Sequence, residues 1–430
     1  MTGLSNDLPN EGPSLQEATR VWWKVGILSF GGPAAQIALI HKEVVENRDW
    51  LSERQFLNAL SFCMLLPGPE AMQLATYAGW RLHGTLGGLI AGLLFIIPGA
   101  AVIMMLAVIY SVYGNVPFVE ALFYGIKAAV LVIVFEALLR VAKKSLSRKL
   151  HWLIAALAFI GIFFLSIPYP LIILIAAVLG LLIGSVHEEQ HSVDMSSVSA
   201  RQTLRTIGSW LIVWLLPLFI LAALGAPEIL LEVGKFFSTL ATVTFGGAYA
   251  VLAYMAQDVV VQFGWLTAGE MVDALGLAES TPGPLILVTQ FVGFLTGFNE
   301  GGLILGLIAA LITLWVTFAP CFLWIFAGAP YIEWISNRAR LKGALQAITA
   351  AVVGVILNLS IWFALHVLFA TVNREERGLF TLWKPELMTI EWLAFALFLF
   401  SSYLAFKLHY GIIKILLIAS VLGAVMRLII

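Results

Sequence analysis

Charge is scarce in this chain. Only 11% of its 430 residues are Asp, Glu, Lys or Arg, against roughly a quarter in a soluble domain. The net charge of −1 gives no bulk attraction to nucleic acid. Cysteine is scarcer: Cys63 and Cys321 stand alone in apolar surroundings, which excludes a disulfide framework and offers no metal-ligand spacing. There is no glycine-rich nucleotide fingerprint after a strand, no ATP-hydrolysing motif and no cluster of cofactor ligands. Residues 1–13 are polar and acidic, without the basic stretch and apolar core of a cleavable signal peptide. No cofactor and no metal are therefore expected, primary pumping has no residues to carry it, and a membrane-embedded reductase is left as the least favoured alternative.

Hydrophobicity is abundant instead. Hydrophobic residues make up 61% of the chain and mean hydropathy is +0.97. Leu86–Tyr110, Ala121–Leu139, Leu150–Leu165 and Pro170–Ile183 are each apolar over a membrane-helix length. None alternates with period two, which argues against an outer-membrane barrel. The expected fold class is an all-α polytopic membrane protein.

The chain also repeats itself. FGGP at Phe30–Pro33 returns as FGGA at Phe245–Ala248, and PGP at Pro67–Pro69 returns at Pro282–Pro284, both 215 residues on. Trp50-Leu51 returns as Trp265-Leu266 in the same register, and the 40-residue windows share 14 identities. The repeated marks are helix breakers within apolar sequence, the best sequence pointer to a transport site.

The expected layout is a tail at 1–13, a first membrane repeat at 14–186, a cytoplasmic linker at 187–207, an extra span at 208–226 and a second repeat at 227–430. Each repeat holds two broken segments (14–40 and 55–82; 228–256 and 267–297) and then four spans. Because the extra span has no counterpart, it should start the second repeat from the opposite face, giving an inverted-repeat helical bundle. Loops on the N-terminal side would carry Arg140, Lys143, Lys144, Arg148, Lys149, Arg201, Arg205, Arg338, Arg340, Lys342 and Lys407, against Arg374, Arg377, Lys384 and Arg427 on the other side. The positive-inside bias places the N-terminal side in the cytoplasm.

The broken segments are read as re-entrant. His41–Arg54 carries Lys42, Arg48 and Arg54, whereas its mate Ala256–Gly269 has no Lys or Arg. Doubling back puts each connection on the side its charge prefers. The flanks, about 12–14 residues or roughly 20 Å of helix, are also short for a full crossing. About 13 membrane segments result, nine full spans and four broken or re-entrant elements.

A helix that begins at membrane depth leaves free N–H groups and a partial positive charge, which favour an anion. Exposed backbone survives there only around a cavity or inside protein. Pro33, Pro69 and Pro284 suit first helical positions. The candidate substrate-binding residues are Phe30, Gly31, Gly32, Pro33, Pro67, Gly68, Pro69, Glu70 and Gln73, with Phe245, Gly246, Gly247, Ser280, Thr281, Pro282, Gly283, Pro284 and Gln290. Glu70 either carries a proton or caps its helix. Arg20, Lys24 and Lys235 either attract an anion or snorkel to headgroups. His187 and His191 read as a solvated loop.

FGGP (30–33), WL (50–51) and LPGPEA (66–71) with Gln73 and Tyr77, followed by the FGG and PGP echo, resemble the chromate ion transporter family in its long form with fused halves. The resemblance spans essentially the whole chain and departs at FGGA, where the proline is missing. It implies an inner-membrane, multi-pass secondary transporter that exports chromate, a sulfate-like oxyanion, and confers chromate resistance. Alternating access between the repeats is the expected mechanism, with an oxyanion channel or a sulfate transporter as the alternatives. A membrane potential negative inside favours exit by about 2.3 kcal/mol per charge per 100 mV. The expected partners are the oxyanion and the lipid bilayer, with a homodimer left open and no nucleic acid.

Overall fold

Each expected breaker ends a helix. The computed structural model describes residues 12–114, 116–183, 199–245, 247–332 and 338–429. Ser14 caps α1 (Leu15–Leu28), whose buried stripe is Ala18, Val21, Trp22 and Val25. Gly31 and Gly32 then turn left-handed, with φ of +87° and +78°. Only glycine adopts such a corner cheaply. Pro33 lies in the first turn of α2 (Gly32–His41), where its absent N–H costs nothing. In the second half α9 (Glu228–Val243) ends at the same point and α10 (Ala248–Ala256) follows, without the proline.

Correspondence continues beyond the glycines. Both second limbs widen into π-helical turns at the same register, Lys42–Glu46 and Gln257–Gln262. Both next helices, α3 (Glu53–Cys63) and α11 (Ala268–Ser280), open on capping boxes, Ser52 with Gln55 and Thr267 with Glu270.

The chain doubles back at both FGG corners. Lys24 Nζ lies 2.8 Å from Glu43 Oε1. A straight continuation would carry Glu43 on the order of 20 Å beyond the end of α1. In the second half Phe236 meets Tyr254 at a tilt and Phe263 and Trp265 edge to face, at 5.5–5.7 Å between ring centres. The 41–54 connection thus returns toward the face where α1 starts.

Two very long helices are also hairpins. α4 (Glu70–Tyr113) leaves helical geometry at His83 and Gly84, and α12 (Val288–Gly328) at Gly301 and Gly302. Gly79 and Gly87 touch backbone to backbone, so a Cβ on either would meet the other's carbonyl oxygen at 2.3 Å. Gly297 similarly meets Leu305. His83 Nε2 reaches Pro13 O at 2.7 Å, which puts this corner on the N-terminal face.

The long limbs of the two hairpins pack antiparallel: Gly88 rests on Phe326, and Gly92, one turn on, rests on Phe322. Outside them lie α5 (Pro117–Ser145), α6 (Lys149–Phe163), α7 (Tyr169–Ile183), α13 (Ala339–Leu368), α14 (Trp392–Phe406) and α15 (Ile412–Ile429). They exchange partners between halves, α5 lying along α15 and α13 along α7. Gly423 of α15 packs on Gly125, and its counterpart Gly180 of α7 packs on Gly343 and Ala344. Small residues let these backbones approach.

α8 (Ala200–Ala223) joins the halves, burying only Trp214. It opens inside the stretch expected as linker; residues 187–198, with His187 and His191, lie outside the described residues. The all-α expectation misses one feature, an antiparallel hairpin of β1 (Val372–Arg377) and β2 (Phe380–Pro385) between α13 and α14. Among the described residues, six helical stretches are long and apolar enough to cross a membrane. The chain is a multi-pass helical membrane protein.

Candidate functional site

The four breaks meet in crossed pairs. Gly68 N–H of the first PGP turn donates to Thr244 O, just before the second FGG, at 2.9 Å. Gly283 N–H of the second PGP turn donates to Ser29 O, just before the first FGG, also at 2.9 Å. Ser29 and Thr244 turn their hydroxyls onto their own helices, toward Gly26 O and Leu240 O. Gln36, buried in α2, adds Nε2 bonds to Gly283 O (2.6 Å) and Ser29 O (3.2 Å). Buried backbone groups freed by the breaks thereby find partners in the opposite half.

These turns need their glycines. Gly68 has φ +116°, and a Cβ there would lie 2.8 Å from Cys321 Sγ and 3.0 Å from Gln73 Nε2. Pro282 sits so close to α4 that a Cβ on Gly99 would meet its carbonyl oxygen at 2.2 Å.

A cavity of about 500 Å³ opens beside the pairs. Pro33, Gly68 and Glu70 line it from the first half, and Gly247 and Tyr249 from the second. Arg140 and Lys144 of α5 and Lys342 of α13 border it on the N-terminal face, with His151 of α6. A water molecule occupies about 30 Å³ in the liquid, so a small polyatomic ion fits with part of its hydration. The N-terminal ends of α2 and α10 reach the wall, and with the bordering cations they favour an anion. Two carboxylates oppose it. Glu70 occupies the first turn of α4, and Glu279 accepts a 2.7 Å hydrogen bond from Tyr249 Oη.

Of the expected site residues, Pro33, Gly68, Glu70 and Gly247 line this cavity. Gly31 and Gly32 form the corner before Pro33, and Pro67 and Pro69 flank Gly68. The second PGP turn is placed differently. Thr281, Pro282, Gly283 and Pro284 are buried away from the wall, and a 3-10 turn, Leu285–Leu287, separates Pro284 from α12. Ser280 and Thr281 bond their own helix, at Leu277 O and Ala278 O. Gln73 and Gln290 are buried braces whose amides donate to Pro67 O (2.7 Å) and Ala100 O (3.2 Å). Phe30 is exposed and Phe245 packs on the core. Gly246 lies outside the described residues. Lys24 is paired with Glu43, and Arg20 and Lys235 lie exposed on the flanks of α1 and α9, away from the cavity wall.

Sequence reasoning passed over Ser29, Thr244 and Gln36 as parts of the site, and read Arg140, Lys144 and Lys342 only as orientation charges. Ser29 and Thr244 did carry a signal: they are hydroxyl residues at the 215-residue offset, one place before each FGG.

Fold and site together define a multi-pass membrane protein whose two halves each bring a broken FGG segment, and the first half its PGP turn, to a basic-rimmed cavity. The chain belongs to the chromate transporter family, whose profile matches residues 17–181 and 231–425, one stretch in each half. A probable chromate transport protein of Synechococcus elongatus is 28% identical over 345 residues, covering 80% of this chain and 83% of its own. A chromate transport protein of Pseudomonas aeruginosa is 31% identical, covering 77% of each chain. One from Cupriavidus metallidurans is 26% identical, covering 80% of this chain and 81% of its own. No solved structure matches the chain.

Proposed function

We propose that the protein is a secondary transporter that exports chromate, or a sulfate-like tetrahedral dianion, across the inner membrane by alternating access, and so confers chromate resistance. The observation that carries this reading is the cavity, which brings two helix starts and three cations to the glycine breaks of both halves. Membership of the chromate transporter family and the names of the relatives support the substrate.

The repeats are inverted about a pseudo-two-fold axis in the membrane plane, a reading supported by the antiparallel limbs and the crossed glycine pairs. Each FGG segment is re-entrant, and the chain divides at 14–186 and 227–430 with α8 as the inverting span. The N-terminal face is cytoplasmic, as Arg140, Lys143, Lys144, Arg148 and Lys149 near that face favour. The cavity then faces the compartment that supplies the ion. It reaches the breaks from one face while the second PGP turn is buried, which supports a carrier over an open channel.

The test is chromate flux into proteoliposomes under an imposed potential, with sulfate as competitor. Saturable flux that sulfate inhibits is expected. Lys144→Gln should raise the half-saturation concentration about three- to ten-fold, roughly 1 kcal/mol of lost attraction. Absence of flux from folded protein under every gradient would refute the reading.

A further inference from the structure

The cavity has a counterpart on the opposite face. α5 and α13 are repeat mates: Ile126-Lys127-Ala128-Ala129-Val130 corresponds to Ile348-Thr349-Ala350-Ala351-Val352. In that register Lys342, Leu345 and Thr349, which line the open cavity, correspond to Glu120, Phe123 and Lys127. These three line a separate cavity of about 390 Å³ with Tyr110, Glu270 and Asp273. The first cavity reaches the glycine breaks; the second does not.

What stops it is a polar cluster. Lys127 Nζ lies 3.2 Å from Asp273 Oδ2, and Tyr110 Oη donates to the same oxygen at 2.8 Å. The Asp273 side chain is only 4% exposed, and its Oδ1 has no hydrogen-bond partner. One turn deeper, Gly276 of α11 packs closely against Ile126 of α5. On the open side the mates of Lys127 and Asp273 are Thr349 and Asn58, which carry no charge. A buried ion pair with an unsatisfied oxygen is a poor device for stability alone, and its best-attested use is as a switch or register element.

We propose that Lys127, Asp273 and Tyr110 form the gate of the opposite-face vestibule, and that Lys127 passes from Asp273 to the oxyanion when α11 parts from α5. This rests on the alternating-access reading, and it identifies that gate and the first cation on the far side of the breaks. Lys127 suits the exchange: it is 29% exposed toward the vestibule, while its partner is sealed beneath it.

The test places a cysteine one turn below the gate, Leu277→Cys, in a background with Cys63 and Cys321 changed to serine. A membrane-impermeant thiol reagent is then applied from the face opposite the N-terminus. Labelling should be slow with the gate intact and rise at least ten-fold with Asp273→Asn, or with the milder Tyr110→Phe. The exchanged pair Lys127→Asp with Asp273→Lys should return it toward the parent rate. Labelling unchanged by both single substitutions overturns the gate. For the handover, chromate half-saturation is measured from the same face. It should rise several-fold with Lys127→Met and stay level or fall with Asp273→Asn; equal effects of the two overturn it. Labelling needs no substrate, so a failure of the transport reading leaves the gate readable on its own.

Discussion

Gly68 shows how much can hang on one hydrogen atom. Its left-handed φ and its closeness to Cys321 and Gln73 leave no room for a Cβ. Substituting alanine where φ is positive costs more than about 1 kcal/mol before any clash. Gly68→Ala should therefore lower the melting temperature in detergent and reduce flux, whereas Gly208→Ala, with open space around it, should change neither. His41 makes a second residue-scale prediction. Its ring N–H donates to the Glu53 carboxylate, which raises its pKa above 6.5, helped by Glu46 and opposed by slight burial. A raised folded-state value means the stabilisation is full below about pH 6.5 and fades as pH rises through the folded pKa. Melting temperature measured from pH 5.5 to 8.5 should show a component lost toward alkaline pH, and His41→Gln should remove it. Legibility at this scale was uneven. That Pro33, Gly68 and Gly247 would line a cavity was readable because breakers in apolar sequence leave few alternatives, and Glu70 follows directly on the first PGP. Gln36 was not, because its partner Gly283 lies 247 residues away and only the packed halves bring them together.

At the scale of elements, the hairpin corners were written locally and the partnerships were not. His83-Gly84 and Gly301-Gly302 fall where apolar runs were expected to divide, since a glycine between long helical stretches marks a cheap reversal. The two capping boxes and the π-helical turns repeat because the same local sequence solves the same end problem twice. β1 and β2 escaped notice because a short exposed hairpin carries no core pattern. α8 runs past its apolar stretch because a formed helix extends cheaply through polar residues such as Gln202 and Thr203. Deleting the Gln36 brace between the first FGG corner and the second PGP turn tests the elements as a unit. Gln36→Leu takes the side-chain donor from the Gly283 carbonyl and leaves the Ser29 carbonyl only the Gly283 N–H, which should cost about 1–3 kcal/mol. The check is thermal stability together with flux, and both should fall, flux more steeply because the corners lose their register.

The duplication explains the whole molecule better than any single site does. Two copies of one unit exchange helix partners, and in doing so bring their breaks together at the centre. Identical halves would make the two faces equivalent; this chain departs from symmetry where it matters. The first PGP turn lines a cavity, and the second is buried behind Gly99 and Leu287. Cations border the open side, whereas an ion pair closes the other. That asymmetry is what a carrier caught facing one side should show, and the second repeat's missing proline agrees with it.

The most direct measurement of the central claim is counterflow. Proteoliposomes loaded with unlabelled chromate or sulfate are diluted into labelled chromate with no potential imposed. The account predicts a transient overshoot of label that saturates with concentration, is abolished by Gly68→Leu, and is weakened by Arg140→Ala. Label that enters linearly with concentration and takes no notice of the ion inside would contradict it.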